Sequence, residues 1–362
     1  MKCLRWVPIV LLMACSSKPP PDFAPDPGLV SRIDEIRIMP REAWACPGQA
    51  IVTDYEAVLD DGTTIPFARE YDDDRPPALH VVFLRRTSAE AEPQGDGDWS
   101  AHADPLLSAM DGFRLRAELR ARPGLTASVS VAPDYSCQPH TFRFVGRTGP
   151  RGRSGYSGPD VLARVDVLRS PFYERVLVAG IEVGDAPPFY VMHDADAVPP
   201  ADWFVVESIG GRGGRGENGA DGAEGVKGRD GCPGSPGGAG GAGSNGGPGG
   251  AGGSGGPITI IVSTDEPFLA GLVDARSPGG RGGAGGGGGD GGPGGVGGEG
   301  LSREGRTCPD GQRGADGPDG ADGPDGSRGP PGTRPRVITV SPGDVFGARV
   351  PFSLQALIDF SR

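Results

Sequence analysis

Hydrophobic and polar positions alternate through much of the first 145 residues. In "RIDEIRIMP", Ile33, Ile36 and Ile38 are interleaved with charged residues, and the run stops at Pro40. Residues 50–67, "AIVTDYEAVLDDGTTIPF", read as a strand, an Asp-Asp-Gly turn and a second strand. "ALHVVFLRR", "DGFRLRAELRARPG" and "TASVSVAPDYSC" keep the two-residue period. That period turns one face of each strand to a core and the other to water. Short strands at this spacing predict a β-sandwich over 29–145. A second β-rich segment, 146–209, carries "VLARVDVL", "RVLVAGIEV", "PFYVM" and "DWFVVES", with Gly-Asp and Pro-Pro breaks between them. Residues 335–362 read as a C-terminal strand segment. The expected fold class is mainly β.

A period of three governs 210–334. Glycine sits at 210, 213, 216 and every third position through 255. It runs again from 279 to 300, breaks phase at "LSREGRTCPDG", and resumes from 311 to 332. A shorter run, "GRTGPRGRSGYSG", begins at Gly146. A flexible linker would be serine-rich and unphased.

"GADGPDGADGPDGSRGPPG", residues 314–332, resembles bacterial collagen-like proteins. That resemblance implies a triple helix, with glycine at the crowded axis, and hence a homotrimer. From Gly279 to Gly297, however, every triplet is Gly-Gly-X. Such triplets are poor in the stiffening proline of collagen. They resemble polyglycine-II-type repeats, as in bundles of some insect antifreeze proteins, phage tail-fibre adhesins and a receptor-kinase ectodomain. The flanking strands bear on the choice. "DWFVVES" leads into the first run and "ITIIVS" leaves it; "LAGLVDAR" leads into the second and "RVITVS" leaves it. All are too short to stand alone and call for a shared sheet. A straight run over 210–257 would separate its flanking strands by about 150 Å, at about 3.1 Å per residue. Doubling back would place them side by side. The favoured expectation is two glycine hairpins, with arms 210–231, 234–257, 279–301 and 311–334. The two middle arms pack inside and the charged outer arms face water. A folded-back bundle is monomeric. The triple helix and disorder stand as alternatives.

The N-terminus has Lys2 and Arg5 followed by a short apolar core, Trp6 to Ala14. "LMAC", Leu12 to Cys15, then resembles the lipobox of bacterial lipoproteins. The resemblance implies a signal peptide over 1–14, lipidation of Cys15 and anchoring in the envelope. Ser16, with no aspartate there, favours the outer membrane. "SSKPPPDFAPDPG" makes 15–28 a proline-rich tether, expected to be extended or disordered and not helical. "IDEIRIMPREAWACPGQAIVTDYEAVLDDGT" resembles bacterial Ig-like domains through Ile36, Ile38, Pro40, Gly48, Gln49 and Asp61 to Thr63.

Cys46, Cys137, Cys232 and Cys308 remain, an even number in an exported chain. Sequence alone allows three connectivities. Position favours Cys46–Cys137 across the sandwich and Cys232–Cys308 across the hairpin tips. Each would stabilise by about 4 kcal/mol in the chain-entropy model.

The net charge of −12 leaves no basic stripe to meet phosphates, so a nucleic-acid partner is not expected. Asp310, Asp316, Asp319, Asp322 and Asp325 lie on one edge about 9 Å apart, too far to share a calcium ion, and read as a solvated face. The histidines are His80, His102, His140 and His193. "CQPH", Cys137 to His140, has no matching second pair, so neither a metal nor a cofactor is expected. "GDGDWSAHADP" sets acids around Trp99 as a weak sugar-site candidate. No nucleophile elbow, zinc motif or genuine phosphate loop is present, and an enzyme is not expected. The functional expectation is a lipid-anchored surface protein, structural or adhesive. The alternative is an accessory lipoprotein that recognises a polysaccharide or protein through the sandwich.

Overall fold

The computed structural model describes residues 19–197, 203–303, 305–347 and 350–362. Cys15 and the lipobox lie outside the described residues. The chain is mainly β, in several sheets.

The N-terminal strands are β1 (Ile33–Pro40), β2 (Trp44–Ala45), β3 (Ala50–Ile51), β4 (Thr53–Leu59), β5 (Thr64–Pro66), β6 (Leu84–Thr87), β7 (Ala91–Pro93), β8 (Trp99–Ala101), β9 (Phe113–Leu119) and β10 (Thr126–Pro133). They form sheets ordered β1-β4-β5, β2-β10-β9-β6 and β3-β8-β7 around one core. Strict alternation of buried and less buried positions in β4 and β9 produces the inward faces. Ile33 and Ile36 both point inward despite their three-residue spacing. A register shift between Ile33 and Glu35 permits it, as a bulge does when it re-aims a side chain. Cys46 and Cys137 are bonded, with Cα atoms 6.2 Å apart.

Two expectations fail here. The described part of the tether is mostly exposed, but it packs at Phe23 and enters a helix at Pro27, which was not expected. Helix α1 (Pro27–Arg32) starts at Asp26, whose carboxylate accepts from Gly28 N at 2.6 Å and Leu29 N at 3.2 Å. An aspartate cap with proline at the first helical position is a strong start signal. Phe23 lies 4.8 Å from both the Tyr71 and Phe83 rings. Trp99, in turn, is wholly buried and donates to the Tyr55 hydroxyl at 2.8 Å. It is core and offers no surface to a sugar.

The second half contains β11 (Thr141–Val145), β12 (Val161–Leu168), β13 (Val176–Val183), β14 (Phe189–Asp194), β15 (Phe204–Ile209), β16 (Ile258–Ser263) and β17 (Val273–Arg276). A small ribbon, β18 (Ser302–Arg303) and β19 (Arg306–Thr307), precedes β20 (Arg336–Val340). One sheet is β11-β15-β17, all parallel. The other is β14-β13-β12-β16-β20, parallel from β12 to β20. β11 falls within the 29–145 segment assigned to the sandwich, but it pairs with β15 of the second half.

The glycine runs explain this arrangement. β11, β15 and β17 each lead into a run, whereas β12, β16 and β20 each leave one. Outgoing strands therefore pair with outgoing strands, and returning with returning. The expectation that β15 and β16 share a sheet is wrong. They face each other across a core that includes Phe204, Val206, Ile258 and Ile260. The outgoing sheet is tied by Glu207, which meets Arg143 of β11 at 2.7 Å and Arg276 of β17 at 3.7 Å.

The C-terminal segment is also corrected. After β20 comes helix α2 (Phe352–Ser361), which buries Leu354, Leu357 and Ile358. These pack with Val176, Val178 and Met192 of the returning sheet, and with Leu106 and Tyr135 of the N-terminal part. β13 is thus covered on both faces, which accounts for its unbroken apolar run.

His193 on β14 is fully buried and stacks on His140 at 4.1 Å. Burial first, and then His140, push it down to about 4. A histidine depressed in this way contributes its stability above the ordinary value of 6.5 and loses it as pH falls toward 4. Replacing His193 with Phe is therefore expected to flatten the loss of stability between pH 7 and pH 5, read as urea midpoints at the two values. An unchanged difference between those midpoints would assign the acid sensitivity elsewhere.

Candidate functional site: the glycine-rich region

An extended threefold chain makes no internal hydrogen bonds, so each N–H needs a partner outside its own segment. The structure supplies those partners in a repeating register. Segment 210–231 runs antiparallel to 234–256: Gly253 N donates to Gly211 O, Gly247 to Glu217, Gly241 to Ala223 and Ser235 to Arg229. The chain reverses at Cys232 and Pro233. Segment 279–300 runs parallel to the first, with Gly213 N donating to Arg281 O and Gly228 N to Val296 O. It runs antiparallel to the second, with Gly286 N donating to Gly247 O. Segment 311–332 runs parallel to the second and antiparallel to the third, through Gly237 N to Gln312 O and Gly320 N to Gly289 O. The short run at Gly146 reverses at Pro150 to Arg153, and its two limbs join the first and second segments near the sheets. The outgoing limbs make one row and the returning limbs another. The two rows continue the two sheets beneath them.

Among the four long segments, the second and third each bond to the other three and are the inner pair. Triplet composition follows from this count of covered faces. A Cβ at Gly285 would lie 1.8 Å from Gly323 O, and one at Gly286 would lie 1.8 Å from Glu217 O. At Gly287 the nearest atom is 3.8 Å away. Two faces are closed and one is open, hence Gly-Gly-X. In the fourth segment a Cβ at Gly320 would lie 2.0 Å from Ser244 O, while Ala321 and Asp322 are exposed, hence Gly-X-Y. The first segment changes part-way. A Cβ at Gly211 or Gly214 would lie 2.0 or 1.6 Å from the carbonyl oxygen of Arg147 or Pro150, in the short run. Beyond the end of that run, the same place in the triplet holds Glu217, Ala220, Ala223 and Val226.

The expected solvated aspartates have a more specific role. Each directs one carboxylate oxygen at an N–H of the third segment: Asp325 at Gly285 (2.9 Å), Asp322 at Gly288 (2.9 Å), Asp319 at Gly291 (2.7 Å), Asp316 at Gly294 (2.7 Å) and Asp310 at Gly300 (2.7 Å). From the opposite side Asn218, Asp221 and Asp230 accept from Gly287, Asp290 and Glu299 at 3.1, 2.9 and 2.7 Å. In triplets 285–287 and 288–290 of the third segment, all three N–H groups are satisfied, by three different neighbours. Asn218, Asp221 and Asp230 were not singled out in the sequence. Their signal is an acceptor recurring in triplet phase opposite a Gly-Gly-X run. The N–H of Glu299, assisted by Lys227, holds Asp230 below the usual carboxylate range. That contribution is present above the unfolded value and fades as pH falls through the folded one.

The far end is closed by Cys232–Cys308, with Cα atoms 5.2 Å apart. Gly231 and Gly300 form a parallel bridge beside it. Among the described residues, no group of three or more His, Cys, Asp or Glu is placed to hold a metal ion. Cys137 is in a disulfide, and His140 lies against His193 and the Trp203 carbonyl at 3.0 Å. No family model matches the chain, nor does any curated protein or solved structure.

Neighbouring glycines give a direct test of the packing. Gly286→Ala is expected to destabilise the region by about 1–3 kcal/mol or more, because backbone must move. Gly287→Ala is expected to be neutral, or stabilising by up to about 1 kcal/mol through the unfolded chain. Thermal melts monitored by proteolysis within 210–332 compare the two. Equal effects would refute the closed-face assignment.

Proposed function

We propose that this chain is a lipid-anchored envelope protein with a structural or adhesive role, whose glycine-rich region is a rigid bundle of polyglycine-II-type helices. The observation that carries this reading is the interchain-like register of glycine N–H bonds within one chain, with two closed faces along the Gly-Gly-X triplets of the third segment. A segment of the length of 210–231 spans about 65 Å at about 3.1 Å per residue. Cross-bonded to three neighbours, it resists bending where a single glycine-rich strand would coil. The bundle is therefore suited to holding a surface at a fixed distance from the two-sheet base.

The Ig-like sandwich sits between anchor and base in this reading. Cys15 carries the lipid, by the resemblance of Leu12 to Cys15 to a lipobox. No described helix is long and apolar enough to cross a membrane. A bundle that satisfies its glycines internally requires no second chain. The protein is therefore a monomer in this proposal and not a collagen trimer.

Two measurements test the proposal. Cys15→Ser is expected to move the protein from the membrane fraction to the soluble fraction. Retention on salt-washed membranes would contradict the lipid anchor. Sedimentation of that soluble variant is expected to give a monomer, whereas a trimer melting to monomer in one cooperative step would restore the collagen alternative.

A further inference from the structure

A cleft of about 410 Å³ opens on the N-terminal sandwich, away from the glycine region. Trp44, Glu42, Gln49 and Asp134 line it, with Arg41 and Ile51. Trp44 is 46% exposed, whereas Trp99 and Trp203 are wholly buried. Leaving so large an apolar ring half in water forgoes burial energy, and the chain nevertheless fixes it in place. β2 pairs with β10 through Trp44 and Ala132. The Cys46–Cys137 disulfide follows two residues later. The Tyr173 ring lies 5.9 Å from the indole, and its hydroxyl donates to Pro133 O at 2.8 Å. A ring already immobilised loses little entropy on binding.

The polar groups around it are uncommitted. The exposed side chains of Glu42 and Gln49 make no hydrogen bond or ion pair with other described residues. Asp134 uses one oxygen on Ser136 N at 2.8 Å. Arg41 is bonded to Asp54 at 3.0 and 3.3 Å, so its charge is already matched. The free charge at the cleft is negative.

We infer that this cleft is a carbohydrate-binding site for neutral or N-acetylated oligosaccharides. A pyranose offers an apolar C–H face and a rim of hydroxyls. The first matches the face of Trp44, and the second matches the acceptors and amide of Glu42, Gln49 and Asp134. The two carboxylates disfavour acidic glycans. The inference goes beyond the structural role, because it needs neither the glycine bundle nor the lipid.

The test uses the full chain in a non-glycosidic detergent, titrated with chitohexaose, cellohexaose and hexagalacturonate by calorimetry and tryptophan fluorescence. Trp99 and Trp203 are buried, and an emission change that Trp44→Phe abolishes belongs to Trp44 and not to Trp6. The expected result is saturable binding of at least one neutral hexasaccharide and none of hexagalacturonate. Trp44→Ala should weaken that binding at least tenfold without shifting the unfolding midpoint, and Gln49→Ala should weaken it less. No binding of either neutral sugar at 10 mM (roughly 2.7 kcal/mol at that limit) overturns the inference. So does neutral-sugar binding that survives Trp44→Ala, or a preference for hexagalacturonate.

Discussion

The N–H groups of a glycine segment in a threefold extended form have no acceptor within their own strand, and the rest of the architecture follows from that deficit. Helices and hairpins settle their backbone bonds locally. These segments must be brought to neighbours and kept in register over their whole length. In the third segment close approach demands glycine on both covered faces, since a Cβ there would overlap a carbonyl at about 2 Å. The register is set at one end by β11, β15 and β17 and by β12, β16 and β20, and at the other by Cys232–Cys308. The sheets pair outgoing with outgoing because the segments above them pair in parallel rows.

Side chains complete what the backbone leaves open. Only one N–H per triplet of the third segment reaches a backbone carbonyl of the second. Acidic and amide side chains from the two flanking segments accept from eight of the others, between Gly285 and Gly300. The same residues that keep the outer surface soluble therefore also hold the inner segment. This links the acidic composition to the glycine pattern: the carboxylates sit where unpaired N–H groups occur in triplet phase.

Much of this was legible in the sequence, and its limits have physical causes. Alternation exposed the strands of the sandwich, and the cysteine positions indicated both disulfides. The Gly-Gly-X triplets marked the inner segments, because composition records closed faces. The pairing of β15 and β16 was misjudged: chain reversal brings two strands close but does not say whether they join edge to edge or face to face. α2 was missed although Leu354, Leu357 and Ile358 have helical spacing after Pro351, since one ten-residue element sits among strands. The proline-rich tether concealed an Asp26 cap. Trp99 looked available because its neighbours are acidic; those neighbours lie in turns while the ring points into the core.

The base and the bundle thus divide the work. A two-sheet core fixes six limbs at known positions, and the limbs extend that order outward without a core of their own. The sandwich offers a separate, rigid surface at Trp44. The account depends most on whether the glycine amides are bonded in solution. Hydrogen exchange on glycine-labelled protein measures this directly. It should find the amides of Gly286, Gly289 and Gly292 protected to the level of the β-sheet base, and those at the first position of the same triplets protected as well. Exchange of the amides between 210 and 332 at the rate of an unstructured chain would contradict the account.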